Sequence, residues 1–262
     1  MRQFDSMDIQ MNLTRTRLNK LVKCLLNPTS WIYLRHGCFP SFEHSQVITK
    51  DALSSLDMFY DVGANVGQFS AYLRCLGLTH SIIAFEPLPT AFAKLAGLSS
   101  VFVNSYLYNV ALGSSRCRAS IYIAEPNDCS SLLQLSNLQT EYFNTKSAAI
   151  TSTIEVHTLQ DYLSLHPCKN GFLKIDVQGL ELDVLKGVDK LSDFFEYVYV
   201  ESSFVELYKD QPLFTDILKF LDHHQFKLYG LYNPQSNKNR MIIQADCLFR
   251  RVSRSHSNPG YQ

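Results

Sequence analysis

From residue 57 onward, short apolar runs alternate with stretches whose apolar residues recur every three to four positions, the signature of strands exchanging with amphipathic helices. The runs predict strands near 57–62, 81–86, 105–111, 171–176 and 195–201; the periodic stretches predict helices near 66–76, 88–97, 158–165, 180–191 and 213–224. Over 66–76, Val66, Phe69, Leu73 and Leu76 share one face and Gly77 follows as a stop signal. Such alternation builds an α/β domain, a mostly parallel sheet with helices on its faces. Two last runs, near 226–232 and 241–249, have no helix between them and predict an antiparallel hairpin at one edge.

Two stretches depart from this pattern. Residues 124–152, rich in Ser, Asn and Thr and weakly periodic, read as a long lid-like loop. Residues 9–27 place Met11, Leu13, Leu18, Leu21, Val22, Leu25 and Leu26 among Arg15, Arg17, Lys20 and Lys23, an amphipathic helix ending before Asn27-Pro28. A helix of this kind packs on its own domain or on a partner subunit, or rests on an anionic membrane surface. The expected organisation is an N-terminal helical extension over 1–50, the α/β domain over 51–250 and a flexible tail over 251–262.

Composition narrows the class. At 262 residues and 46% apolar content the chain can bury a sizeable core as one domain with appendages. Lys and Arg total 24 and Asp and Glu total 24, so the net charge gives no reason to expect a nucleic acid partner. Seven cysteines, an odd number without a C-x-x-C pair, argue for reduced thiols. No His, Cys or carboxylate cluster has metal-ligand spacing, and no metal is expected. The first 30 residues lack an apolar core followed by a small-residue cleavage site, and no apolar run reaches the roughly 20 residues that span a bilayer. The expectation is a cytoplasmic protein without a transmembrane segment, for which a homo-oligomer is open.

The chemistry concentrates in "YDVGANVGQFS", where the first strand turns into the first helix of the domain. In an open parallel sheet, ligands bind at the carboxyl ends of the strands, and this turn is the usual contact. Asp61 ends the strand; Gly63 and Gly67 would let backbone pass close to a ligand, with Ala64 and Asn65 between them. A dinucleotide site wants G-x-G-x-x-G, and Asn65 stands at its second glycine. Asp61 would repel a pyrophosphate yet suits an ammonium group. Glu86 closes the next strand, followed by Pro87, where a carboxylate can accept both hydroxyls of a ribose. Asn109 and Val110, ending the third strand, would lie at an adenine edge. A ribose, a cationic amino acid end and no phosphate describe S-adenosylmethionine.

The blocks "YDVGANVGQFS", "AFEPLP", "NVALG", "SSL", "TLQDYL", "FLKIDVQGLELDVLKG", "YVYVESSFVELY" and "QADCLFRR", in that order, resemble the FkbM family of S-adenosylmethionine-dependent methyltransferases over about residues 40–250. The resemblance implies a class I methyltransferase (Rossmann-like) three-layer sandwich, whose seven-stranded sheet has an antiparallel last strand. It also implies methyl transfer to an oxygen, commonly a hydroxyl of a sugar, glycan or polyketide-like metabolite. Gln178 stands where many relatives resemble K-I-D-V-E-G, which weakens any reading of that position as a metal ligand or base.

An alcohol is protonated at neutral pH, so a base beside the acceptor is expected. Asp176, ending the fourth strand, is the first candidate, with a bracing role for the cofactor or loop as its alternative. Glu201, ending the fifth, serves as a second acid-base group or as a loop brace, and His44 as a neutral-pH base or a surface residue. Lys174, on the same side of its strand as Asp176, and Ser130 and Ser131, in the long loop, are candidates for holding the acceptor. Two other readings stay open: a nicotinamide-dependent oxidoreductase, and a non-catalytic methyltransferase-like scaffold binding a partner through the N-terminal helix.

Overall fold

The computed structural model describes residues 21–47, 49–125, 131–143 and 146–252. The predicted helix over 9–27 is helical over 21–26 (α1); residues 9–20 lie outside the described residues, as does the predicted tail over 251–262 from residue 253 onward. After α1 come α2 (Ser30–Arg35), α3 (Lys50–Leu53), β1 (Met58–Val62), α4 (Gln68–Cys75), β2 (Ser81–Phe85), α5 (Pro89–Ala96) and β3 (Ser105–Tyr108). Then follow β4 (Ala111–Leu112), β5 (Cys117–Glu125), α6 (Asn137–Phe143), β6 (Lys146–His157), α7 (Leu159–Leu165), β7 (Gly171–Ile175) and α8 (Glu181–Lys186). The chain closes with β8 (Phe195–Ser203), α9 (Phe214–His223), β9 (Phe226–Ser236) and β10 (Ile242–Arg251).

Seven strands form the main sheet in the order β3-β2-β1-β7-β8-β10-β9. Pairing is parallel from β3 through β8, and β10, wedged between β8 and β9, runs antiparallel to both. The predicted terminal hairpin is thus present, with β10 paired to β8 and β9 forming the edge of the sheet. This is the class I methyltransferase arrangement.

Period-two side-chain alternation splits the sheet into two apolar faces. Tyr60, Val62, Leu173, Ile175, Val198 and Val200 pack against Leu159 and Leu163 of α7, Leu185 of α8 and Ile217 and Leu221 of α9. Phe59, Ala84, Phe172 and Tyr199 pack against Phe69, Tyr72 and Leu73 of α4 and Leu95 of α5. The second face also carries, in one register row, Asp61 opposite Lys174 and Lys174 opposite Tyr199. Three polar side chains therefore interrupt an otherwise apolar layer near the strand ends.

The stretch expected to be a lid-like loop over 124–152 is more ordered than that. Its described part contains α6 and most of β6, and β6 pairs antiparallel with β5 and parallel with β4 in a second, three-stranded sheet. Ile121, Ile154 and Val156 seat this sheet on Leu88 and Ala91, beside the first turn of α5. The chain from 131 to 136 is pinned on one side by a bridge between Ser131 and Tyr122 and on the other by a bridge between Leu135 and Tyr208.

Candidate active site

Where β1, β2, β7 and β8 end, a cavity of about 500 Å³ opens between the main sheet and the small one. Its volume suits a ligand of nucleoside size with room beside it. Gly63, Ala64, Asn65, Glu86, Pro87 and Val110 line one end, and His44, Lys174, Asp176, Glu201 and Asp246 line the other. Ser131, Leu132 and Gln139 reach it from the small-sheet side.

The turn after β1 is built by backbone constraints. Gly63 sits at φ +76°, and a Cβ there would come within 1.8 Å of the Asp176 carbonyl oxygen. Gly67, at φ +91°, faces Leu95 and Phe102. Neighbouring chain thus crowds both positions, a second reason for glycine there beside the expected close approach of a ligand. Asn65 adopts φ +49°, which Asn tolerates better than other side chains, so the second glycine of a dinucleotide turn is dispensable here. The backbone N-H of Asn65 donates to Glu86 Oε2 at 2.9 Å, and the N-H of Leu88 donates to Glu86 Oε1 at 2.8 Å. Each carboxylate oxygen keeps a further lone pair for a ligand. Burial raises Glu86 to about 7, the two backbone N-H groups restraining the rise. Asn109 donates from Nδ2 to the Glu86 and Pro87 carbonyls, at 2.8 and 3.1 Å, and so braces the loop that presents Glu86.

Asp61 is not among the lining residues. It is fully buried, accepts from Ser70 Oγ at 2.7 Å through Oδ2, and sets Oδ1 3.3 Å from Lys174 Nζ. The direct ligand contact expected of Asp61 is replaced by a contact to Lys174. Lys174 Nζ also donates to the Gly63 carbonyl at 2.9 Å and lies 3.6 Å from Asp176 Oδ2. Burial alone would lower Lys174; the Asp176 and Asp61 carboxylates outweigh it and hold the ammonium above its ordinary value.

Gln178 joins two of the predicted residues. Its Nε2 donates to Asp176 Oδ1 and Glu201 Oε2, each at 2.9 Å, while its Oε1 accepts from Tyr208 at 2.7 Å. Its own carbonyl accepts from Ser131 Oγ at 2.6 Å, so Ser131 fastens the small-sheet segment to the β7 loop. Ser130 lies outside the described residues. Burial, reinforced by Asp176, pushes Glu201 well above the usual carboxylate range. Glu181 accepts from the Gly179 N-H at 2.9 Å, and burial raises it to about 7.

A second network surrounds His44. Its Nδ1 lies 2.9 Å from the Tyr199 hydroxyl, which donates to Asp246 Oδ2 at 2.9 Å; Asn233 Nδ2 donates to the same oxygen at 2.8 Å. The sequence reading found His44 but missed Tyr199, Asn233 and Asp246. The signal was a carboxylate inside the apolar run of β10, at even spacing from Gln244, placing both on one face. Gln139 was missed as well: it is buried, lines the cavity, and its Oε1 has no hydrogen-bond partner among the described residues.

A family model for the methyltransferase FkbM domain matches residues 61–228. The chain belongs to the FkbM methyltransferase family. Among relatives of this FkbM chain, "Methyltransferase 1" of Beauveria bassiana is 29% identical over 161 residues, 54% of this chain. The match spans 62% of that relative's length. Solved structures include an rRNA methylase from Streptococcus thermophilus, 13% identical, with 85% of this chain and 97% of that one covered and a TM-score of 0.41. Another is Aeropyrum pernix fibrillarin bound to S-adenosyl-L-methionine, 10% identical, with 74% and 66% covered and a TM-score of 0.38. Among the described residues, no group of side chains is arranged to hold a metal ion, and no helix is long and apolar enough to cross a membrane.

Proposed function

We propose that this FkbM domain is an S-adenosylmethionine-dependent O-methyltransferase whose acceptor is a hydroxyl of a neutral, hydroxyl-rich molecule, a sugar, glycan or polyketide-like metabolite. The supporting observation is the charge and donor inventory of the cavity. Glu43, Glu86, Asp176, Glu201 and Asp246 line it with Lys174 as the one Lys or Arg among the described residues, and Lys174 is already engaged by Asp61, Asp176 and the Gly63 carbonyl. An acidic, partly dry pocket favours a cationic ligand and opposes phosphate. Asn65, Gln68, Gln139, Gln178, Asn233, Gln235 and Gln244 add amides that both donate and accept, as hydroxyl-rich acceptors require.

These residues fit the cofactor. Glu86 would take the ribose hydroxyls on its remaining lone pairs, and Gly63, Ala64 and Asn65 would give the close backbone wall. Val110 and Pro87 would flank the adenine. The Lys174-centred cluster would hold the amino acid end, with Asp61 acting through Lys174. When bound, S-adenosylmethionine supplies a methyl group already activated on a positively charged sulfur. What the chain itself supplies is alignment of the acceptor oxygen, exclusion of water under the small sheet, and a group to receive the hydroxyl proton.

Titration calorimetry with S-adenosylhomocysteine and with NADH tests the cofactor assignment: the first should bind and the second should not. The acceptor class is tested by incubating the protein with methyl-labelled S-adenosylmethionine and neutral glycosides or fractionated cell extract. Label in an alkali-stable ether would support O-methylation. Binding of NADH instead, or of neither ligand, would defeat the reading.

A further inference from the structure

Counting protons around His44 assigns its tautomer. Tyr199 has one hydroxyl hydrogen, and Asp246 Oδ2, 2.9 Å away, accepts it. Asn233 Nδ2 donates to the same oxygen at 2.8 Å; it lies farther, at 3.5 Å, from His44 Nδ1, so the shorter Tyr199 contact decides the role of that nitrogen. While Asp246 is ionised, against the burial that raises it, the Tyr199 oxygen meets His44 Nδ1, at 2.9 Å, as an acceptor, so Nδ1 carries the hydrogen. In the neutral ring the lone pair is left on Nε2. That nitrogen has no protein partner among the described residues, and His44 lines the cavity.

Resting on the methyl-transfer reading above, we infer that His44 Nε2 receives the acceptor's hydroxyl proton, and that Tyr199 and Asp246 are positioning residues that fix the ring as the Nδ1-H form. As the acceptor oxygen bonds to the methyl carbon, the carbon-sulfur bond breaks with its electron pair staying on sulfur. The hydroxyl proton passes to Nε2, leaving an imidazolium. Asp246, with Oδ2 3.6 Å from Nδ1, offsets that new charge through space. The ring is held laterally by edge contacts with Phe69 of α4 and Tyr199 of β8, both at 5.5 Å between centroids. His44 and Asp246 both fall outside residues 61–228, so the device joins segments flanking the family-defining region.

The charged groups facing His44 are Asp246 of β10, Glu43 beside it in the chain, and Lys174 and Asp176 of β7 and its loop. Burial lowers His44 below its ordinary value against the pull of Asp246 and Glu43, so the ring is neutral and able to accept a proton at pH 7. Asp176 is less suited: its Oδ1 accepts from Gln178 and its Oδ2 faces the Lys174 ammonium.

The test reads the tautomer without needing the acceptor. In histidine-¹⁵N-labelled protein saturated with S-adenosylhomocysteine, two-bond proton-nitrogen correlations, assigned with His44→Gln, should show Nδ1-H and bare Nε2 at pH 8. Tyr199→Phe should convert His44 to Nε2-H or to an averaged pattern. Asp246→Asn, which still accepts from Tyr199, should keep the tautomer and lower the pH of half-protonation. Unchanged S-adenosylhomocysteine affinity shows that each variant folds, and either variant alone decides the tautomer mechanism. An Nε2-H ring in the wild type, or no response to Tyr199→Phe, overturns it. In turnover, His44→Gln should lose about 10²- to 10⁴-fold in kcat and the acid limb of its pH profile, with KM for the methyl donor unchanged. Retention of that limb would equally overturn the role of His44. Absence of methyl transfer by the wild type to every acceptor counts instead against the broader reading.

Discussion

Glu86 is a carboxylate that stands near its point of half-ionisation with two of its lone pairs already occupied. Burial raises it to about 7, so at neutral pH part of the free protein holds it protonated. Ribose hydroxyls donating to it would favour the ionised form, and little further desolvation remains to oppose them, because Glu86 is already only 5% exposed. Binding near pH 7 should therefore release a proton, and the effect should fade above pH 8.5, where the free side chain is already ionised. Calorimetric enthalpies for S-adenosylhomocysteine measured in buffers of different ionisation heat will display it, and Glu86→Gln should abolish it. The same substitution should weaken binding by about 1 to 3 kcal/mol, since a neutral amide replaces a charged acceptor and turns an N-H group toward the Asn65 and Leu88 donors. Affinity within twofold of the wild type, with the proton release intact, would remove Glu86 from the site.

At the scale of elements, the turn between β1 and α4 shows how far a sequence can be read. Its position, its glycines and its neighbour Glu86 were legible because strand, turn and amphipathic helix succeed one another with distinct periodicities. The cause of Gly63 was not legible, because the atom that forbids a side chain, the Asp176 carbonyl, arrives from a strand more than 100 residues later. The same limit hid the small sheet. β6 is a Ser- and Thr-containing strand in which the sequence shows no sustained period of two, and its partners are β4 and β5. It also hid Asp246 and Tyr199, which are ordinary strand residues until β8 and β10 pair. Gly63→Ala separates the two explanations of the turn. If contact with β7 demands the glycine, the cofactor-free protein should lose at least about 3 kcal/mol in urea denaturation, since displacing backbone adds to the left-handed strain. Gly37→Ala is the control: with φ +73° and nothing within 4 Å of the added carbon, it should cost only about 1 to 2 kcal/mol. Equal losses in the two variants would contradict the packing explanation and restore ligand approach as the reason for the glycine.

The whole molecule is neutral in sum, with 24 basic and 24 acidic side chains, yet its cavity is not. Among the described residues, five lining carboxylates, Glu86 and Glu201 among them raised by burial, face one lining ammonium, and that ammonium is held by two of the protein's own carboxylates and a carbonyl. A phosphorylated or carboxylated acceptor entering beside the cofactor would meet like charge at short range in a site where screening by salt is weak. Neutral hydroxyls would meet amide and carboxylate acceptors instead. Between a neutral glycoside and the same glycoside bearing a phosphate near the reacting hydroxyl, the neutral compound should be methylated with a kcat/KM at least about tenfold higher, equivalent to roughly 1.4 kcal/mol in the transition state. Raising ionic strength should narrow the gap only slightly, because Glu86 is buried and Asp176, Glu201 and Asp246 are half-buried inside the cavity, only Glu43 among the five being exposed. Protonation offers an internal check. Glu201 lies well above the ordinary carboxylate range, so lowering the pH neutralises it before an ordinary carboxylate, and the penalty on the phosphorylated acceptor should shrink toward acid. Glu201→Gln should reproduce part of that relaxation at neutral pH while retaining a partner for the Gln178 amide through its carbonyl oxygen. Preference for the phosphorylated acceptor, or indifference between the two, would mean that the reacting hydroxyl lies outside this acidic cavity.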